Sequence, residues 1–229
     1  MINGMNVTQT GTDIKMKERS LKGNIYLWNS YDKIVISDVD GTITKSDIGG
    51  HVLPKIGFDY VQNGIDKILN RLNSNGYRLL YLTARGIGQT QSTRNYLFSE
   101  LCVPNGAVIC SPSTTRAALY REVIQKRPQD FKIPTLAMIV RAFNDSDSDS
   151  DSVCPFVGGF GNRVTDAETY GYFGVGKEKV FLIGCLNKKK GKKDKENVKE
   201  MIATYINDYN DIFEKINDIF PKRVLPDTY

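Results

Sequence analysis

The chain is poor in the residues that would offer the simplest functional readings. Its 229 residues include one histidine and one tryptophan. The solitary His51 argues against a histidine-based metal cluster and against a histidine phosphatase. It is expected to be structural, lying between Gly49-Gly50 and Pro54. The four cysteines, Cys102, Cys110, Cys154 and Cys185, form no C-x-x-C pair and no zinc spacing, so reduced thiols are expected. No uninterrupted apolar run approaches the ~20 residues that span a bilayer. The polar stretch 1–23 lacks the apolar core of a secretory signal, and no internal repeat is visible.

What is present is an ordinary globular composition, 40% hydrophobic and 25% charged. The length suits one main core with additions. The net charge of +5 is unevenly placed. Lys188, Lys189, Lys190, Lys192, Lys193 and Lys195 crowd one short stretch, which reads as a solvated loop or as a contact for an anionic surface. Asp145 to Ser152 alternates acid and serine, the composition of a surface insertion with nothing apolar to bury.

Strand-like and helix-like segments alternate. Strands are expected at 24–28, 33–37, 77–82, 107–110, 155–160 and 179–183. Helices are expected from Val61 to Asn75-Gly76, over 89–101, over 114–124, from Pro134 to Phe143 and over 166–172. The apolar spacing from Val198 to Ile219 predicts one amphipathic C-terminal helix packed on the core. The pattern is that of an α/β fold, a parallel sheet with helices on both faces.

The most informative junction is Asp38-Val39-Asp40-Gly41-Thr42, fed directly by the apolar run 33–37. Acids at i and i+2 on extended backbone face the same side, roughly 6.5 Å apart. A strand of an open sheet would deliver them to the rim where ligands bind. One could attack phosphorus and the other carry a proton, and together they offer a magnesium ion hard oxygen ligands. An Asx turn closing a strand is the plainer reading. The later strand ends add Thr83, Arg85 and Gly86, then Ser111-Pro112-Ser113, then Gly161-Asn162-Arg163 and Asp166. Carboxylates, hydroxyl and amide donors and cations on successive strand ends form a coherent set for phosphoryl transfer.

These loops match the haloacid dehalogenase superfamily pattern: D-x-D-x-T, a Ser/Thr after the second strand, and G-[DN]-x-x-x-D. Within it the chain closely resembles the catalytic domain of the lipin family, magnesium-dependent phosphatidate phosphatases. The resemblance rests on the run from Asp38 to Asp47, on Gly50 to Pro54, and on Tyr81 to Gly88. It continues through Ser111 to Ser113, Arg121 to Pro128 and Phe160 to Arg163, and covers roughly 24–184. It implies a haloacid dehalogenase-like Rossmannoid domain. Asp38 would be the nucleophile that forms an aspartyl-phosphate, and Asp40 the acid and base. Thr42, Thr83, Ala84 and Arg85 would lie around the phosphate. The Mg²⁺ shell would come from Asp38, Asp40 (by its carbonyl), Asn162 and Asp166. Lys126 is the candidate phosphate-neutralising cation, with Arg127 and Lys132 as alternatives.

Only about eighteen residues separate Thr42 from the helix near Val61, too few for a folded lid, so no large cap domain is expected. The expected organisation is a flexible segment at 1–23, a catalytic domain at 24–185 with the acidic insertion at 144–152, and a Lys-rich loop and helix at 186–229. The resemblance implies hydrolysis of phosphatidate to diacylglycerol and phosphate in glycerolipid synthesis. It also implies a cytoplasmic enzyme peripheral to an anionic membrane, at the endoplasmic reticulum or nucleus, with no nucleic-acid partner. Full-length lipins have an N-terminal lipin segment and an amphipathic anchor, which are not found here, as a fragment would show. Two alternatives stay open: a phosphatidate-binding module without catalysis, and a phosphatase of another phosphomonoester. Asp38 and Asp40 are both present, unlike in the non-catalytic lipin-like domains of phosphatidylinositol transfer proteins.

Overall fold

The structure, a computed structural model, describes residues 2–10, 13–21, 23–45, 61–112, 129–144, 153–184 and 202–224. The buried apolar run of the first motif forms β3 (Ile34–Asp38), preceded by the strands β1 (Ile2–Thr10) and β2 (Asp13–Leu21). There follow α1 (Ile65–Ser74), β4 (Arg78–Gly86), α2 (Thr90–Asn95), β5 (Ala107–Ser111) and α3 (Gln129–Asn144). Next come β6 (Phe156–Gly161), α4 (Val164–Tyr172), β7 (Val180–Ile183) and β8 (Thr204–Ile206). Two short helices, α5 (Asn210–Phe213) and α6 (Ile216–Ile219), close the described chain.

Six strands pair in parallel in the order β5-β4-β3-β6-β7-β8. The chain starts in the middle at β3, builds outward through β4 and β5, then returns to β6 and builds the other way. The strand order therefore reverses beside β3, where an open sheet leaves a crevice at its carboxyl edge. Both faces are covered, as the continuous apolar runs require. Val35, Leu79, Tyr81, Phe160 and Phe181 pack with α1 and the C-terminal helices. Ile34, Ile36, Leu80 and Leu82 pack on the opposite face with Leu136 of α3 and Ala167 and Tyr170 of α4. In α1 the buried residues Ile65, Ile68, Leu69 and Leu72 form one helical stripe. Each is worth about 1.5–3 kcal/mol when fully buried.

Several expectations change in detail. Residues 24–28 form no strand: Tyr26, Leu27 and Trp28 line an apolar groove beside α3, and Leu27 and the neighbouring Ile25 are largely exposed. Helix α3 begins five residues before Pro134, and Lys132 within it is anchored between the Asp38 and Asp166 carboxylates. The single C-terminal helix is instead a strand and two short helices. Asp208 accepts the Asn210 N–H at 2.8 Å, and Asp211 accepts those of Asn207 and Asp208 at 3.2 and 3.1 Å, turns that break a continuous helix. Core packing of this segment is as expected, with Ile206, Tyr209, Ile212, Ile216 and Phe220 buried. The sheet thus runs past the 185 boundary. At the other end, β1 and β2 pair antiparallel where a flexible segment was expected; a lone two-stranded ribbon is only marginally stable. His51, Ser113, the helix expected over 114–124, the acidic insertion and the lysine cluster lie outside the described residues, as does most of the segment that bears on a cap.

The C-terminal stretch is stitched back to the start of the sheet. Asn75 Nδ2 donates to the Phe220 carbonyl at 2.7 Å and to Asn217 at 3.0 Å. Arg223 donates to the carbonyls of Tyr31 at 2.7 Å and Gly76 at 3.2 Å. The buried Tyr209 hydroxyl donates to the Thr42 carbonyl at 3.1 Å.

Candidate active site

Strand β3 ends at Asp38, and the residues from Val39 to Thr44 curl back under it. The Val39 carbonyl accepts the N–H groups of Thr42, Ile43 and Thr44 at 3.3, 2.9 and 3.2 Å. Gly41 adopts φ 87°, a left-handed conformation that glycine reaches without steric cost. Asp40 therefore belongs to this turn and not to extended backbone, yet both acids line one cavity. That cavity, about 10 Å³, holds about one water molecule or ion, and is lined by Asp38, Asp40, Ala84, Lys132, Asn162, Arg163 and Asp166. A larger groove of about 520 Å³ beside α3 has no carboxylate or cation in its lining. The ionisable groups gather around the small cavity.

Lys132, 3% exposed, bridges Asp38 and Asp166 with its ammonium 2.7 Å from an oxygen of each. Burial lifts the Asp38 carboxyl to about 7; Lys132 pulls it down, while Asp166 and Asp40 push it up. For Lys132, burial works against the charged form, but the Asp166 and Asp38 carboxylates reverse this and hold the ammonium well above its ordinary range. Asp166 is in the first turn of α4. Its second oxygen accepts the N–H groups of Asn162 and Arg163 at 3.2 and 3.1 Å, which fixes the loop leaving β6. Gly161 allows this approach, since a Cβ there would lie 2.5 Å from the Asp166 Cβ. Thr42 donates its hydroxyl to Asp38 at 3.1 Å.

Asp40 is held from another direction. The Arg85 Nη2 lies 2.6 Å from Asp40 Oδ1, its Nε lies 3.0 Å from Oδ2, and the Thr83 hydroxyl donates to Oδ2 at 3.0 Å. Nearly every residue expected at the site is brought together here. Lys132, one of the three cations considered, occupies the site, whereas Lys126 and Arg127 lie outside the described residues. Arg163 was read only as part of a loop, yet it lines the cavity. Its place immediately after Asn162 on a strand end was the signal.

Asp38, Asp40 and Asn162 offer hard oxygen donors beside Asp166, and two buried carboxylates share one ammonium. Among the described residues no group of three or more His, Cys, Asp or Glu side chains is poised for a metal. Magnesium needs no such group, since it binds through one or two carboxylates plus waters and phosphate oxygens. The donor set fits it.

A parallel sheet with helices on both faces, carrying a D-x-D-G-T turn at its reversal point, defines a haloacid dehalogenase-like Rossmannoid fold. A family model described as LNS2 (Lipin/Ned1/Smp2) matches residues 1–221. The chain belongs to this family, and the match reaches both the N-terminal ribbon and the C-terminal helices. The chain is 41% identical to phosphatidic acid phosphohydrolase 1 of Saccharomyces cerevisiae over 95% of its own length and 26% of that protein. It is 38% identical to phosphatidate phosphatase LPIN1 of Homo sapiens over 87% of this chain and 21% of that one. With phosphatidate phosphatase PAH1 of Arabidopsis thaliana it shares 39% identity, over 89% of this chain and 21% of the relative. The chain spans about a fifth to a quarter of the length of the curated relatives it matches.

Proposed function

We propose that this chain is a magnesium-dependent phosphatidate phosphatase that releases diacylglycerol and phosphate for glycerolipid synthesis. The observation that carries the reading is the buried Asp38 carboxylate at the reversal point of the sheet, aligned by Lys132 and Thr42 beside a cavity of ion size. The names of the relatives supply the substrate.

In the first half-reaction an Asp38 oxygen bonds to phosphorus as the bond to the glycerol oxygen breaks. Asp40 gives a proton to that departing oxygen. In the second, a water oxygen bonds to phosphorus, the phosphorus–Asp38 oxygen bond breaks, and Asp40 receives a proton from the water. Lys132 keeps the attacking carboxylate oriented, and Arg163 and the backbone at Ala84 face the phosphate. Magnesium held by Asp38, the Asp40 carbonyl, Asn162 and Asp166 would supply charge neutralisation for the phosphoryl group. No helix among the described residues is long and apolar enough to cross a membrane. The substrate is reached from the cytoplasmic face of an endoplasmic reticulum or nuclear membrane, with the lysine cluster at 188–195 meeting anionic lipid. Each of its basic residues near the surface is worth about 1 kcal/mol.

The test is phosphate release from phosphatidate-containing vesicles with and without Mg²⁺. Turnover by the wild-type chain that needs the metal and disappears in Asp38→Asn supports the reading. Equal turnover by the two proteins overturns the nucleophile, and no turnover by either overturns the substrate.

A further inference from the structure

Among the described residues, Arg85 is a buried cation of the rim that does not line the cavity. It is 8% exposed, and its guanidinium is committed to the Asp40 carboxylate, which lines the cavity, and to Thr93, which does not. Nε lies 3.1 and 3.0 Å from the two Asp40 oxygens, Nη2 lies 2.6 Å from Oδ1, and Nη1 donates to the fully buried Thr93 hydroxyl at 3.3 Å. We propose that Arg85 is a positioning residue that acts on the phosphate chemistry through Asp40 and does not itself ligate the phosphate. This rests on Asp40 being the proton carrier.

A carboxylate at the end of a short side chain turns about a broad, two-fold torsion. A planar guanidinium that grips both oxygens fixes the plane of the carboxylate, which the point charge of a lysine cannot do. Here the grip is closed into a ring. Thr83 donates to the second Asp40 oxygen, and the Arg85 backbone N–H donates to the Thr83 hydroxyl at 3.1 Å. Thr93 braces the far side of the fork. Two other cations, Lys132 and Arg163, do line the cavity. Arg85 is thereby left to aim the group that moves the proton in both half-reactions.

The experiment compares Arg85→Lys and Thr93→Val with the wild-type chain on phosphatidate vesicles. It also measures binding of beryllium trifluoride with Mg²⁺, a mimic of the phosphorylated aspartate that needs no turnover. For R85K, kcat is expected to fall about 10²-fold, the cost of a misplaced reacting group, while KM stays within about three-fold. Beryllium trifluoride affinity is expected to stay within about three-fold too. T93V leaves every charge in place and should repeat this pattern with a kcat loss of roughly three- to ten-fold. A KM increase or loss of beryllium trifluoride affinity of about ten-fold or more, with kcat retained, would make Arg85 a phosphate ligand and overturn the proposal. If the wild-type chain fails to cleave phosphatidate, the substrate reading falls, and the beryllium trifluoride comparison still decides the role of Arg85.

Discussion

Asp38 and Asp40 stand two positions apart in the sequence, yet the fold surrounds them with different charge. Asp38 shares the single Lys132 ammonium with Asp166, so that two carboxylates face one cation. Asp40 meets one arginine of its own. Among the described ion pairs, the first side sets two buried carboxylates against one ammonium, in a place where charges are little screened. The second is matched one to one and held by its plane. On the proposed reading, metal and nucleophile sit where two acids share one cation, and the proton carrier sits where the acid is held by its plane.

Asp38→Asn should break the comparison most severely. Phosphate release is expected to fall on the order of 10⁴-fold or more, while calorimetry should show no loss of thermal stability, because one of two crowded acids has gone. Lys132→Met comes next. It leaves both acids buried without their cation, a change that typically costs 3–5 kcal/mol, and so lowers Tm by roughly 10 °C. Millimolar Mg²⁺ should restore part of that loss. A variant as stable as the wild type in denaturant titrations would mean that the crowding of the two acids is not felt.

A third test follows from the Asp38 carboxyl, lifted by burial from 3.8 to about 7. The folded chain then holds this proton more tightly than the unfolded chain. The stabilisation is full below about pH 4 and is lost as pH rises through about 7. Thermal melts in chelator should show the metal-free chain losing stability over that window. The gain on adding Mg²⁺ should be larger at pH 8 than at pH 5, by a few degrees. Gly161→Ala sharpens the same side more gently. Its new Cβ would lie 2.7 Å from an Asp166 carboxylate oxygen and push it aside. A stability loss of about 1–3 kcal/mol is expected, with the Mg²⁺ concentration for half-maximal activity rising about ten-fold. The smallest effect is Tyr209→Phe, which removes one hydrogen bond to the Thr42 carbonyl. It should lower stability by about 1 kcal/mol and leave KM for phosphatidate unchanged.

The strands that build the rim were legible because their signal is local. Apolar runs such as 33–37 and 77–82 carry their own burial, and each is punctuated by the turn chemistry that follows it. The acids and the amide loop could be read for the same reason. What escaped depends on partners distant in sequence. That Lys132 meets the acids could not be read from spacing, since its partner Asp38 is 94 positions away. Arg85 was expected beside the phosphate, and in the structure Asp40 occupies its fork. Strand β8 was hidden inside a helix-like apolar rhythm, although Asn207, Asp208, Asn210 and Asp211 are residues that favour turns.

The hydrogen bond from Tyr209 to Thr42 joins residues 167 positions apart. The ribosome therefore makes the acidic loop long before it makes the hydroxyl that supports it. A nascent chain that has reached Ile183 already holds every carboxylate of the site, but neither the last strand of the sheet nor the Asn75 and Arg223 stitches. A premature stop codon in that interval would spare all the chemistry and remove what holds it still.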